Sequence, residues 1–170
     1  MITVEINGEE RQYPQGATYE DVANDYQKEY DNLIALAARD GKIRELFKKL
    51  TRDCEITFFT LKDDVGNKTY VRSATMLFLK AVFDVFGRET VQNCRVEFAI
   101  GNGSYISPKG KINATEENAA KIRNRMRELV EAKTPFLKKS YSLDNAMELF
   151  RREGMKDKEK LFRYRRGSFV

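Results

Sequence analysis

Two short segments, Asn7-Gly8 and Arg39-Asp40-Gly41, constrain the fold of this chain more than any other feature. Asn7-Gly8 is a strong hairpin turn, the second segment places Gly at a tight turn, and each lies between segments able to form strands. Before the first, Ile2, Val4 and Ile6 alternate with polar residues, the period-two pattern of a strand with one buried face. Arg11–Tyr13 is its return strand and stops at Pro14, which lacks the N–H that a ladder needs. Leu33–Ala37 and Lys42–Glu45 flank the second turn, and Cys54–Leu61, with Ile56, Phe58 and Phe59, adds one more strand. Between the hairpins, Tyr19, Val22, Ala23, Tyr26 and Tyr30 recur at helical spacing, with Thr18 and Asp21 placed as N-cap partners. The order strand, strand, helix, strand, strand, strand predicts a ubiquitin-like sheet with one helix across it. A sheet this small buries its face only under such a helix.

The remainder is richer in helix. Lys62–Lys68 is polar and turn-rich and reads as a linker or a hairpin. A helix is expected from about Tyr70 to Phe86, with Ala74, Leu77, Phe78, Ala81, Val82 and Val85 on its apolar side and Gly87 at its C-terminal cap. Its other face carries Arg72, Met76, Lys80, Asp84 and Arg88, each four residues apart. Cys94–Ile100 and Ser104–Ile106 form a hairpin around Gly101-Asn102-Gly103. A second helix, Thr115 to Ala132, turns Ala119, Ile122, Met126, Leu129 and Val130 inward and Lys121, Arg123, Arg125 and Arg127 outward. Phe136–Tyr141 is extended, and Ser142 caps a third helix that Gly154 ends. The basic tail, Met155–Val170, reads as stopping within a strand.

Composition removes whole classes of chemistry. The 170 residues include no histidine and two cysteines, Cys54 and Cys94. A Ser-His-Asp or Cys-His catalytic pair is therefore excluded within this chain, as is a His-ligated metal. Two cysteines build neither a four-thiolate zinc site nor a disulfide framework. Gly41-Lys42 and Gly110-Lys111 lack the upstream glycine of a phosphate-cradling loop, and Gly101-x-Gly103 has Ile106 where a dinucleotide fingerprint needs glycine. Asp63-Asp64, read as linker residues, make a solvated surface rather than an acid–base pair. No apolar run is long enough for a membrane span, and the acidic, alternating N-terminus is not a targeting peptide, so a cytoplasmic protein is expected. A net charge of +5 permits a polyanionic partner.

Particular segments resemble a known pair of domains. Ile2-Thr3-Val4-Glu5-Ile6-Asn7-Gly8, Ala38-Arg39-Asp40-Gly41-Lys42-Ile43 and Asp53-Cys54-Glu55-Ile56-Thr57-Phe58-Phe59-Thr60 resemble a TGS domain, the β-grasp module of threonyl-tRNA synthetases, some GTPases and stringent-response synthetases. Arg72-Ser73-Ala74-Thr75-Met76-Leu77, Phe98-Ala99-Ile100-Gly101, Asn102-Gly103-Ser104-Tyr105 and Arg166-Gly167-Ser168-Phe169-Val170 resemble the editing domain that follows it in bacterial threonyl-tRNA synthetase. The resemblance implies an α+β chain, with a TGS β-grasp at residues 1–62 and an α/β editing-like domain at residues 68–170.

In that editing family the site is a His-x-x-x-His on the first long helix and a Cys-x-x-x-His near the domain's end. Residues four apart share a helix face, so their side chains converge on one ion or substrate. Carried onto this chain, the first pair falls on Met76 and Lys80 and the second on Arg165 and Phe169. None of these is a zinc ligand, so the resemblance implies the editing fold without a metal and without catalytic residues. Two readings of the emptied cleft stand. Either Met76 and Phe169 fill it while Lys80 pairs with Asp84, or Lys80 and Arg165 make an anion pocket with Arg72 at its rim.

The partner is open in the same way. The same domain pair precedes a P-loop kinase domain in uridine kinase-like nucleoside kinases. That resemblance implies an accessory or regulatory module whose partner is its own C-terminal kinase domain beyond Val170. ATP and magnesium would belong there, with no cofactor in these residues. The alternative is a tRNA- or RNA-binding module of a threonyl-tRNA synthetase-like protein with an inactive editing site. Its RNA contacts would be Arg44, Lys48, Lys49 and Arg52 in the first domain and Lys121, Arg123, Arg125 and Arg127 in the second. Neither a DNA nor a membrane partner is expected.

Overall fold

The computed structural model describes residues 1–101, 103–108 and 113–170, so Asn102 of the expected hairpin turn and Gly110-Lys111 lie outside the described residues. By its contacts the chain divides into two compact units, Met1–Met76 and Leu77–Val170.

The first unit is a mixed α+β structure. Strands β1 (Ile2–Ile6), β2 (Glu9–Tyr13), β3 (Ile34–Arg39), β4 (Lys42–Arg44) and β5 (Cys54–Thr60) form one sheet in the order β2-β1-β5-β3-β4. Neighbouring strands run antiparallel except β1 and β5, which run parallel with Val4 opposite Cys54. Both hairpins named at the outset form, the second with a turn one residue shorter than expected, because Arg39 pairs in β3. Ile6 faces Glu9 across Asn7-Gly8, at φ of 53° and 83°, and Arg39 faces Lys42 across Asp40-Gly41, at 49° and 73°. Helix α1 (Tyr19–Tyr26) covers the sheet. Its Tyr19, Val22, Ala23 and Tyr26 meet Ile2, Val4, Ile6, Ile34, Ile56 and Phe58 in one buried cluster. Tyr30 lies past the helix, after a 3-10 turn at Gln27–Glu29, and packs against the rim of that cluster.

Every free N–H of the first turn of α1 is accounted for, as helix ends require. Thr18 and Asp21 make a reciprocal capping box. Tyr19 and Glu20 donate their backbone N–H groups to the carbonyls of Lys48 and Leu46 at 3.0 and 2.8 Å. The loop between β4 and β5 is thereby tied to the helix, while Leu50 closes the core beneath it.

Helix α2 (Asp64–Phe86) begins earlier than the sequence suggests, and Lys62–Lys68 is not the expected linker. Asp63 closes a tight turn by accepting from the N–H and hydroxyl of Thr60 at 2.7 and 2.9 Å. Asn67 then donates its N–H to the Asp63 carbonyl, so helical hydrogen bonding starts at once. Gly66, read as a turn residue, is needed for a different reason: a β-carbon there would stand 2.0 Å from the Thr60 carbonyl oxygen.

In the second unit α2 ends at Gly87, which has a φ of 82°. A short helix α3 (Arg88–Gln92) follows, unforeseen in the sequence. Strands β6 (Cys94–Ile100) and β7 (Gly103–Pro108) make the expected hairpin, with a register shift between Val96 and Phe98. Helices α4 (Glu116–Glu131) and α5 (Leu143–Arg152) begin at the caps Thr115 and Ser142. The tail is not a bare strand: α6 (Lys156–Phe162) occupies its first half, and only Phe169 pairs, against Ser142. Around that bridge Tyr141 and Val170 exchange two backbone hydrogen bonds. Ala81, Val82, Leu129 and Ala146 are buried, whereas Ala119 and Val130, assigned to the inner stripe of α4, are exposed.

Gly66→Ala is expected to lower stability by about 1–3 kcal/mol, because the added methyl meets backbone rather than a yielding side chain. Equilibrium denaturation in urea measures this, and an unchanged midpoint would show that α2 does not press on Thr60 as described.

Candidate functional site

Met76, Lys80, Arg165 and Phe169, the positions to which the resemblance carries the editing motif, offer no imidazole or thiolate to a metal. Met76 stands exposed on α2, with Lys80 one turn later on the same helix. Lys80 forms an ion pair with Asp84 and places its ammonium 5.5 Å from the Phe83 ring centroid. Arg165 packs its guanidinium on Phe162, with 5.4 Å to the ring centroid, and Phe169 is exposed. Among the described residues no hydrogen bond, ion pair or ring contact joins Lys80 to Arg165 or Phe169, and no cluster of metal-ligating side chains occurs. Arg72 is exposed, without an ion pair among the described residues.

Asp84 is the centre of a charge network. It accepts from Lys80 and, at 2.9 Å, from Nε of Arg125, whose Nη1 also reaches Glu128 at 2.8 Å. The hydrogen bond from Lys80, aided by Arg125, holds the Asp84 carboxyl below the usual carboxylate range. Arg125 therefore belongs to the packing of α4 beside α2.

The two basic patches differ in how their charge is met. On α4, Lys121 pairs with Glu117 at 2.6 Å and Arg123 with Glu116 at 3.5 Å. Arg127 alone of the four named there has no ion pair among the described residues. In the first unit Arg52 is bound to Asp40 at 2.8 Å. Arg44, Lys48 and Lys49 have no carboxylate partner among the described residues, and neither does Lys42 beside them. Lys42 and Arg44 lie on β4, the sheet's edge strand. Phe47, half exposed between Arg44 and Lys48, carries the Lys48 ammonium 5.1 Å from its ring centroid. Lys42 and Phe47 were not singled out in the sequence, although an aromatic among lysines in one short segment is a legible signal.

The second unit also contains a cavity of about 550 Å³. Phe78 and Val82 of α2, Ile106 of β7, and Ile122 and Met126 of α4 line it, with Glu116, Arg123, Asn118 and Ser104 among its polar residues. Residues 78 and 82 are each two positions from Lys80, or about 200° around the helix, so the cavity and the motif positions use opposite faces of α2. The Cys94 thiol, also in the wall, is pushed up by burial and stays protonated at neutral pH. No helix among the described residues is long and apolar enough to cross a membrane.

No protein-family model matches the chain. It is homologous over most of its length to threonine–tRNA ligases. It is 28% identical to that of Thermotoga maritima over 96% of this chain and 26% of the ligase. For the ligase of Thermotoga petrophila the identity is 27% with the same coverage, and for that of Maricaulis maris it is 29%, over 96% of this chain and 25% of the ligase. The chain thus spans about a quarter of the length of these relatives.

Asp84→Asn is expected to lower the thermal midpoint at neutral pH by about 2–4 °C, the scale of one partly exposed charge network in a chain this long. Because the folded carboxyl is depressed, its contribution is present above the ordinary carboxylate pKa of about 4 and is lost as pH falls through the lower folded value. Thermal melts across pH should therefore show variant and parent converging in acid. A pH-independent gap would mean that the network is not what holds α4 beside α2.

Proposed function

We propose that this chain is a non-hydrolytic, RNA-binding module of threonyl-tRNA synthetase type. Its sheet order, with α1 across one face, supports a β-grasp TGS reading of residues 1–62. Homology to threonine–tRNA ligases over both units supports an editing-like reading of residues 68–170. Those relatives weigh toward the synthetase-like alternative and away from a module of a nucleoside kinase. Met76, Lys80, Arg165 and Phe169 in place of histidines and a cysteine supply no nucleophile, base or metal ligand, so ester hydrolysis in the family's manner has no residues to perform it.

One observation carries the RNA assignment: the unmatched cations are gathered on one edge of the first unit. Lys42 and Arg44 lie on the edge strand β4, and exposed Phe47, Lys48 and Lys49 lie in the loop after it, while most of the α4 cations are spent on carboxylates. Cations that meet no internal carboxylate release counterions when they meet phosphate, which gives affinity without sequence preference. An exposed ring beside them offers a stacking surface for an unpaired base. The backbone bonds from Tyr19 and Glu20 fix the loop that presents this group, reducing what is lost on ordering it.

Filter binding of unmodified tRNA across salt concentrations tests the assignment. The parent should bind at low salt, and the triple replacement Arg44→Ala, Lys48→Ala, Lys49→Ala should weaken binding at least about tenfold. The log–log salt slope should fall by about 2–3, since each phosphate contact contributes about 0.7–0.9. Replacing Lys121 and Arg127 by Ala should change neither quantity. No binding by the parent, or equal loss from the α4 pair, contradicts the proposal.

A further inference from the structure

The cavity of the second unit is built differently from a packing defect. Its volume, about 550 Å³, lies within the range of small-molecule sites. Ala119, Ile122 and Met126 recur at the spacing of a core-facing stripe, yet Ala119 is exposed and the other two are half-buried. The stripe is thus apolar where no side chain of the described residues fills the space in front of it. An apolar body of several carbons would complete that packing.

The polar residues narrow the ligand further. Glu116 Oε1 and Arg123 Nη2 stand 3.5 Å apart, and both line the cavity. They stand about two turns apart on one stripe of α4, and each is more than half exposed, so their mutual attraction is weak. A ligand with a single charge would meet one partner and be repelled by the other. A zwitterion whose ammonium and carboxylate are close together meets both, replacing one exposed ion pair with two complementary ones. A polyanion is disfavoured by Glu116 and Glu117 in the first turn of α4.

We propose that this cavity binds an apolar α-amino acid, with its side chain among Phe78, Val82, Ile122 and Met126, its ammonium on Glu116 and its carboxylate on Arg123. The site is separate from Met76 and Lys80, which lie on the opposite face of α2, and from Arg165 and Phe169 of the tail, which do not line it, and it does not depend on RNA binding at the β4 edge. It involves no covalent step, and Cys94 serves only as wall.

Isothermal titration of the full chain with L-phenylalanine, L-leucine and L-methionine tests the proposal. At least one should bind saturably with a Kd near about 1 mM or below, the range open to a ligand of this size. Phenethylamine and hydrocinnamate, each lacking one charge, should bind at least about tenfold more weakly than phenylalanine. Arg123→Gln should cost phenylalanine about tenfold without weakening phenethylamine, and Glu116→Gln should cost phenylalanine about tenfold without weakening hydrocinnamate. Ala119→Phe should fill the cavity and abolish binding, and if that variant does not fold, the two charge variants decide. Absence of saturable binding up to about 10 mM overturns the site. So does binding that ignores Glu116 and Arg123, or that persists in a folded Ala119→Phe chain.

Discussion

Asp63 and Gly66 together fix where α2 starts. The Asp63 carboxylate holds Thr60 by two hydrogen bonds, and Gly66 lets the helix pass against the Thr60 carbonyl with no room for a β-carbon. Within the second unit the helical repeat divides the same helix by face: Phe78 and Val82 turn to the cavity, while Lys80 and Asp84 turn the other way into a charge network with Arg125.

Lys80 is engaged by Asp84 and Phe83, Arg165 by Phe162, and Phe169 by its backbone pairing with Ser142. The Lys80 and Arg165 side chains thus have local partners, whereas Phe169 pairs through its backbone and Met76 is exposed. A fold can keep its scaffold while its site is replaced, and function must then be sought where unsatisfied chemistry remains. Here that chemistry lies in two places, the cationic edge around Phe47 and the apolar cavity beside Glu116 and Arg123.

Where local chemistry decided the outcome, the sequence was readable. Asn7-Gly8 and Asp40-Gly41 adopt the positive φ values of tight hairpin turns, and Thr18 with Asp21 makes the cap that their spacing announced. Thr115 and Ser142 do the same for α4 and α5. The misreadings arose where a distant partner overrode local preference. Asp64–Lys68 carries turn-forming residues but is helical: the Asp63 carbonyl accepts a helical hydrogen bond from the Asn67 N–H, and the Thr60 carbonyl leaves room only for glycine. Arg125 was read as solvent-facing, and only the position of Asp84 reveals its role. Val130 and Ala119 fit an inner stripe by spacing, yet burial depends on what stands opposite, which no periodicity reports. The cavity was illegible for that reason, and the contrast between the basic patches required knowing which carboxylates reach them.

On the proposed function, this chain binds RNA and does not hydrolyse an aminoacyl ester. The most direct measurement incubates the chain with a mischarged threonine-accepting tRNA, with and without added zinc, and follows amino-acid release alongside retention of the tRNA on a filter. The account predicts retention at low salt with release no faster than spontaneous deacylation. Release above that background that depends on the protein would contradict it, because it would require a catalytic group that Met76, Lys80, Arg165 and Phe169 do not provide.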